Sequence, residues 1–168
     1  MGFKEISPYE AENIFKLWNK DWALITAKHN DKVNMMTASW GLCGILWNKP
    51  VAVCFIRPQR YTFKFAEASD RLSLTFYDEK YRNELTLCGR KSGKDIDKIK
   101  ETGFTLAADE NKTPYFEEAK LVMICRKLYV DDLKKSAFIE PELLKNYPSD
   151  DFHRVYICEI EKLLQKED

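Results

Sequence analysis

Short apolar runs separated by turn residues are the dominant pattern along the chain. Runs of this kind at residues 22–26, 51–56 and 72–77 are typical of β-strands, and in the last of them Leu72, Leu74 and Phe76 share one face. The turn residues Asn30-Asp31 follow the first run and precede an apolar stretch over 33–39, so these two segments predict a hairpin. Longer strands are predicted over 121–130 and 152–163.

Sequence patterns typical of helices are less frequent than those of strands, and the helices that they predict are short. Ser7-Pro8-Tyr9-Glu10 has the pattern of a capping box and predicts a helix that runs to about residue 19. Thr62 is predicted to cap a helix that ends near residue 68, and residues 81–101 predict two short helices on either side of Ser92-Gly93. One or two helical turns are predicted from Pro141. Because strands dominate and do not alternate with long helices, an antiparallel barrel or sandwich is favoured over a doubly wound sheet.

Composition and charge narrow the class of protein. The 168 residues are 45% hydrophobic and 32% charged, and 27 basic residues balance 27 acidic ones. We therefore expect one folded domain over residues 1–168, with no internal repeat or linker. Zero net charge disfavours nucleic-acid binding. Without an apolar run of membrane length or a signal peptide, we expect no membrane partner and a cytoplasmic location.

The five cysteines and two histidines give no metal motif. The cysteines are widely spread and form no CxxC pair, so we expect them to be buried small hydrophobic residues with free thiols, as suits a reducing cytoplasm. His29 and His153 are too few and too far apart to indicate a metal cluster. We expect no metal site.

Four polar stretches beside predicted strands are candidates for chemistry. In Asn34-Met35-Met36-Thr37-Ala38-Ser39-Trp40-Gly41, small residues and hydroxyls end a strand, where a ligand could approach the backbone; an ordinary strand end is the alternative. Arg57-Pro58-Gln59-Arg60-Tyr61-Thr62 joins two arginines to a predicted helix start, which suits an anion such as a phosphate; solvated arginines are the alternative.

The other two stretches carry weaker signals. Cys88-Gly89-Arg90-Lys91-Ser92-Gly93-Lys94-Asp95-Ile96-Asp97-Lys98 lacks the order of a P-loop, and it is either a basic loop over a cofactor or a plain connection between helices. His153 follows two acidic residues at a strand start. It is either a structural histidine or a donor of a hydrogen bond or proton near its ordinary pKa of about 6.5. No glycine pattern of a Rossmann site and no catalytic triad is present.

Taken in order, these stretches resemble the flavin reductase-like, FMN-binding split-barrel family, and in particular its flavoredoxin-like branch. The resemblance runs from about residue 22 to residue 160. It is carried by residues 34–41 (NMMTASWG), 47–51 (WNKPV), 57–62 (RPQRYT), 88–98 (CGRKSGKDIDK) and 153–160 (HRVYICEI). Cys158 stands where a glycine is typical of the family.

The resemblance implies a mainly β fold with short helices, a Greek-key split β-barrel that forms a homodimer with one FMN per subunit. It implies an NAD(P)H-dependent flavin reductase, with NAD(P)H as donor and a flavin or a redox protein as acceptor. A flavoredoxin-type electron carrier and a non-catalytic flavin-binding module are the alternatives. By the same resemblance His153 lies beside the nicotinamide as the catalytic residue. The FMN-binding residues would be Met36, Thr37, Ala38, Ser39, Trp40, Arg57, Arg60, Tyr61, Thr62, Cys88, Gly89, Ser92, Gly93 and Lys94.

Overall fold

The computed structural model describes residues 2–167, and strands make up most of its regular structure. The strands are β1 (Phe3–Ile6), β2 (Ala23–His29), β3 (Lys32–Ala38), β4 (Gly41–Leu46), β5 (Lys49–Ile56), β6 (Arg71–Phe76), β7 (Leu106–Ala108), β8 (Pro114–Phe116), β9 (Leu121–Asp132) and β10 (Arg154–Lys166). The helices are α1 (Ile14–Lys16), α2 (Tyr61–Ala68), α3 (Arg82–Arg90) and α4 (Lys98–Thr102). A π-helical turn (Leu17–Asp21) and short 3₁₀ turns, among them Pro8–Glu10 and Pro141–Asn146, complete the connections.

Seven strands form one antiparallel sheet in the order β3-β2-β6-β9-β10-β5-β4, and β1 adds to it through β10. The start of β10 pairs with β5 and its end pairs with β1, while β9 runs along its other side. Only Ser39 and Trp40 join β3 to β4, so the two edges of the sheet are held together at this corner. The predicted class, mainly β with short helices in a split barrel, is confirmed.

Two tight turns set the registers of the two hairpins. Asn30 and Asp31 have φ of 47° and 59°, and Trp47 and Asn48 have φ of 52° and 57°. Two successive residues with positive φ are the signature of the type I′ turn, whose twist matches that of the strands it joins. The predicted hairpin of β2 and β3 is therefore confirmed, and a second one joins β4 to β5.

The core lies inside the curled sheet. The predicted inward face of Leu72, Leu74 and Phe76 is buried, which confirms the period-two interpretation. Four cysteines are fully buried and Cys43 is half-buried, with no disulfide among the described residues, as expected. Cys158 lies opposite Ala52 in the core, so its thiol points into the barrel.

Helix starts are less well predicted. The capping box at Ser7 forms, with the Glu10 carboxylate accepting from the Ser7 amide at 2.8 Å, but it supports only the 3₁₀ turn Pro8–Glu10. The chain is extended at Ala11 and becomes helical again at Ile14, so the prediction of one helix to residue 19 is wrong. Thr62 does not cap α2 either, because Arg60 occupies the cap position.

Candidate functional site

Strand β3 is a free edge of the sheet, and α3 packs along it. The two-residue turn makes His29 and Lys32 a hydrogen-bonded pair, so the backbone groups of Met35 and Thr37 point away from β2. The Thr37 hydroxyl donates to the Leu85 carbonyl in α3. The first polar stretch therefore combines backbone groups that are not used by β2 with a hydroxyl whose orientation is fixed.

A buried ammonium group crosslinks this edge to the helices. Lys98 is 4% exposed, and its Nζ donates to the carbonyls of Met35 and Cys88, both at 2.8 Å. Burial, opposed by the effect of Cys88 and aided by a smaller effect of Arg60, lowers the pKa of Lys98 to about 8. The ammonium donates to backbone carbonyls of β3 and α3. Lys98 therefore holds β3, α3 and α4 in one arrangement.

A second polar contact joins β3 to α2 and to the loop after α3. The Asn34 amide donates to the buried Thr62 hydroxyl at 2.7 Å. Gly93 lies directly over the Asn34 amide, and a Cβ on Gly93 would collide with it. A side chain at position 93 would therefore push Asn34 away from Thr62.

The two arginines of the second stretch have different surroundings. Arg57 pairs with Asp151 at 2.6 Å and donates to the Asn146 carbonyl at 2.8 Å, so it fastens the connection between β9 and β10. The half-buried Arg60 guanidinium has no carboxylate partner among residues 2–167, and burial lowers its pKa, with a smaller contribution from Arg57. A partly buried, unpaired guanidinium is a site for an anion.

A cleft of about 550 Å³ lies next to this helix start. Asn34, Tyr61, Gly93, Lys94 and Lys98 line part of it. A hydrogen bond from Lys64 lowers the pKa of the Tyr61 phenol, and the charges of Lys64, Lys32 and Lys94 act in the same direction. The cleft also receives Asp95 and Asp97, and the Asp97 carboxylate is used as the N-cap of α4. Its size and charge suit a phosphorylated small molecule.

His153 lies in an aromatic cluster at the start of β10. Its ring centroid is 5.5 Å from that of Trp40 and 6.2 Å from that of Phe55. Its Nδ1 is 2.8 Å from the Tyr147 hydroxyl. Burial, together with the charge of Arg57 and against the opposite effect of Asp151, lowers the pKa of His153 to about 4. The imidazole is therefore neutral at pH 7 and does not titrate near 6.5.

The structure brings most of the predicted site residues to two neighbouring places. Around the cleft and the β3 edge lie Thr37, Ala38, Arg60, Tyr61, Thr62, Gly89, Ser92, Gly93 and Lys94. Around His153 lie Ser39, Trp40 and Arg57. The side chains of Met36 and Cys88 are in the core, the backbone groups of Met36 point toward β2, and the carbonyl of Cys88 is already bonded to Lys98.

Four residues of these two places were not among the predicted site residues. Asn34 and Lys98 lie inside predicted motifs, but nothing in the sequence shows that the side chains point inward. Tyr147 and Asp151 come from the connection after β9, which reaches His153 and Arg57 only in the folded chain. Their roles depend on contacts between segments 6 to 94 residues apart, which no local pattern reveals.

The chain belongs to the flavin reductase-like family, because the model of the flavin reductase like domain matches residues 19–168. This confirms the resemblance drawn from the sequence motifs. The search of curated proteins gave no significant match. No helix within residues 2–167 is long and apolar enough to cross a membrane.

Solved structures show the same fold at low sequence identity. An FMN-binding domain of a flavin reductases-like enzyme from Shewanella baltica has a TM-score of 0.72 at 16% identity, over 98% of this chain and 77% of that one. An FMN-binding protein from Thermus thermophilus, with bound p-hydroxybenzaldehyde, has a TM-score of 0.69 at 17% identity, over 94% and 78%. A flavoredoxin from Methanosarcina acetivorans has a TM-score of 0.68 at 22% identity, over 88% and 69%.

Proposed function

We propose that the whole chain acts as one FMN-binding oxidoreductase domain. The observation that carries this proposal is the unpaired, half-buried Arg60 at the start of α2, beside a positively charged cleft of about 550 Å³. Arg60, Tyr61 and the loop of Ser92 to Lys94 would hold the phosphate. The Met35 amide and the backbone groups of Thr37, which point away from β2, would hold the polar edge of the ring system.

The donor set fits this group. A phosphate needs positive charge and N–H donors, and the start of the eight-residue α2 has both, without a side chain in the cap position that would fill them. Because Gly93 has no side chain, the Asn34 amide can keep its hydrogen bond to the Thr62 hydroxyl. The backbone of the loop also stays accessible at Gly93. The matching family model is that of a flavin reductase like domain, and FMN-binding proteins are among the structural neighbours, which supports the same assignment.

We further propose that NAD(P)H is the electron donor, and that a flavin or a redox protein is the acceptor. When bound, FMN supplies the hydride-accepting chemistry, and the protein binds and orients both partners. His153 and Trp40 lie at the corner between β3 and β4 and would contact the second ligand. A flavoredoxin-type electron carrier is the second candidate, because a flavoredoxin shares the fold. Free thiols suit the cytoplasm as the compartment.

The phosphate assignment is tested by comparing FMN with riboflavin, which lacks the phosphate. Arg60→Gln is expected to weaken FMN binding by about ten- to a hundred-fold, since a charge-assisted hydrogen bond contributes about 1.5–3 kcal/mol. Riboflavin binding should stay unchanged, as measured by flavin fluorescence quenching. Equal losses for both flavins, or no binding of FMN by the wild type, would contradict the proposal.

Arg57→Gln is the matched variant, three residues away. Because Arg57 is already engaged by Asp151 and the Asn146 carbonyl, its loss should mainly loosen the connection between β9 and β10. We expect a lower melting temperature and a smaller effect on the preference for FMN over riboflavin. A larger effect on that preference than Arg60→Gln gives would move the phosphate to Arg57.

The electron donor is tested on the FMN-loaded protein under anaerobic conditions. Rapid bleaching of the flavin absorption band by NADH or NADPH is expected of a reductase. Slow bleaching, followed by rapid reoxidation with a redox protein, would favour the electron carrier instead. A flavin absorption band that no donor bleaches would indicate a flavin-binding module without redox turnover.

A further inference from the structure

The hydroxyl of Tyr147 and the imidazole of His153 form an isolated buried pair. Tyr147 is 7% exposed and His153 is 9% exposed, and the phenolic oxygen lies 2.8 Å from Nδ1. The two rings meet edge to face, with centroids 5.4 Å apart. The ring contact fixes the plane of the imidazole, and the hydrogen bond fixes the position of Nδ1.

The direction of this hydrogen bond follows from the available acceptors. Within residues 2–167, Nδ1 of His153 is the one acceptor within hydrogen-bond distance of the Tyr147 hydroxyl. If Nδ1 carried the proton and donated it to the phenol, the phenolic proton would be left buried without a partner, which is costly. A neutral imidazole also has one nitrogen free to accept. The phenol therefore donates, Nδ1 accepts, and the ring proton is on Nε2.

We infer that Tyr147 is a positioning residue that holds His153 in the Nε2–H tautomer, so that the imidazole offers a neutral hydrogen-bond donor beside Trp40. Nε2 has no hydrogen-bond partner in the described part of the chain. It is also not fully enclosed by protein atoms, so a ligand can reach it. Trp40, Phe55 and Tyr147 line an adjoining cavity of about 350 Å³. A neutral donor beside aromatic walls suits a carbonyl or amide oxygen on a flat ring.

Tyr147 is itself held from the strand side. The Arg57 guanidinium lies 5.0 Å from the centroid of the Tyr147 ring, while its two ends engage Asp151 and the Asn146 carbonyl. Asp151 also accepts from the Gln59 amide at 2.5 Å. The end of β5 thus fixes the segment that carries Tyr147, and Tyr147 fixes His153. The tautomer is a property of the chain alone, and its use toward a second ligand rests on the proposed function.

The tautomer is read directly from the ¹⁵N resonances of the imidazole in the full chain without flavin. The chain has two histidines, so His29→Gln assigns the spectrum. In the wild type we expect a protonated Nε2 and an unprotonated Nδ1 whose resonance is displaced by its hydrogen bond. In Tyr147→Phe, which keeps the ring but removes the hydroxyl, that displacement should disappear. Tyr9→Phe, at a tyrosine that is 68% exposed, should leave the spectrum of the wild type unchanged.

A wild-type spectrum with the proton on Nδ1 would overturn the inference even if Tyr147→Phe did not fold. An Nδ1 resonance that is the same in folded Tyr147→Phe and in the wild type would also overturn it. With FMN bound, Tyr147→Phe is expected to raise the KM for NAD(P)H by roughly three- to tenfold, the loss of about one hydrogen bond, and to leave FMN affinity unchanged. Absence of FMN binding by the wild type would refute the proposed function and leave the tautomer result standing.

Discussion

At the scale of single residues, His153 shows how burial changes chemistry that the sequence leaves open. A free histidine has a pKa of about 6.5, whereas burial and Arg57 lower that of His153 to about 4. A flavin-reduction profile with no inflection from His153 near pH 6.5 is therefore expected. The residue is a neutral donor at pH 7, not a proton donor.

The same pKa makes stability depend on pH. Between pH 6.5 and 4 the unfolded chain binds a proton at this site that the folded chain does not, so the contribution of His153 is full above 6.5 and is lost as the pH falls toward 4. At pH 5 the wild type is expected to have lost about 2 kcal/mol of unfolding free energy through this residue. Denaturant titrations of wild type and His153→Gln at pH 7.5 and 5 measure it, because the variant lacks this contribution.

His29→Gln is the control for that experiment, at an exposed histidine on the β2–β3 turn. Its unfolding free energy should follow that of the wild type at both pH values. If the difference between wild type and His153→Gln were the same at pH 5 and 7.5, His153 would not be held neutral by the fold.

Which residues carry the candidate site was predictable only where the signal is local. The hydroxyl and arginine stretches stand out because their residue types are unusual beside apolar strands, and Thr37 and Arg60 do lie at the β3 edge and the α2 start. The sequence could not separate Arg60 from Arg57. That difference arises because Asp151, 94 residues after Arg57, occupies one arginine and not the other.

At the scale of the elements, the π-helical turn Leu17–Asp21 closes one part of the barrel by inserting Trp18. Trp18 is 4% exposed and packs edge to face on Phe76, with ring centroids 5.5 Å apart. Its ring also lies against Gly41, the first residue of β4. Gly41 therefore makes room for a tryptophan of the chain itself, and not for a ligand as its place in the motif suggested.

Gly41→Ala is expected to destabilise the protein, because the added Cβ would collide with the Trp18 ring. Overpacking of this kind costs about 1–3 kcal/mol. Gly44→Ala is the matched control in the same strand, where a Cβ would meet no atom within 4 Å. Its unfolding free energy should lie within about 0.5 kcal/mol of the wild type. Similar losses in both variants, measured by thermal or denaturant unfolding, would show that Trp18 does not depend on Gly41.

Elements were predictable where periodicity and turn residues agreed. β2, β3, β6 and the helices on either side of Ser92 follow their signals closely, and the turn at Asn30-Asp31 has the backbone its residue types favour. β4 was missed because its residues, from Gly41 to Leu46, do not alternate between apolar and polar. As an edge strand with several exposed apolar side chains, it lacks the pattern of a half-buried strand.

At the scale of the whole molecule, an apolar row crosses the outer face of the sheet. Leu42, Val53, Ile157 and Tyr129 lie side by side on β4, β5, β10 and β9. Residues directly opposite each other in antiparallel strands point to the same face. Leu42 is 58% exposed and Tyr129 47% exposed, and the exposed Trp40 and Trp47 lie at the two ends of β4. An exposed apolar surface of this kind is typical of protein interfaces.

We expect this row to be the contact between two copies in the homodimer that the family resemblance implies. Leu42→Glu should therefore produce a monomer by light scattering while the circular dichroism spectrum stays that of the wild type. Ile139→Glu is the control, because Ile139 is 98% exposed in the connection between β9 and β10. A wild type that is monomeric with FMN bound, or a Leu42→Glu variant that remains dimeric, would contradict this placement.

The position of β10 determines when the chain can fold during its synthesis. This strand is made after the other strands of residues 2–167, yet it is flanked by β9 on one side and by β5 and β1 on the other. While the ribosome still holds it, the pairs between β10 and β5 and the buried layer of Cys54, Tyr156 and Cys158 cannot form. The earlier hairpins therefore wait with exposed apolar faces, in a state where chaperones can bind them, until residue 166 leaves the exit tunnel.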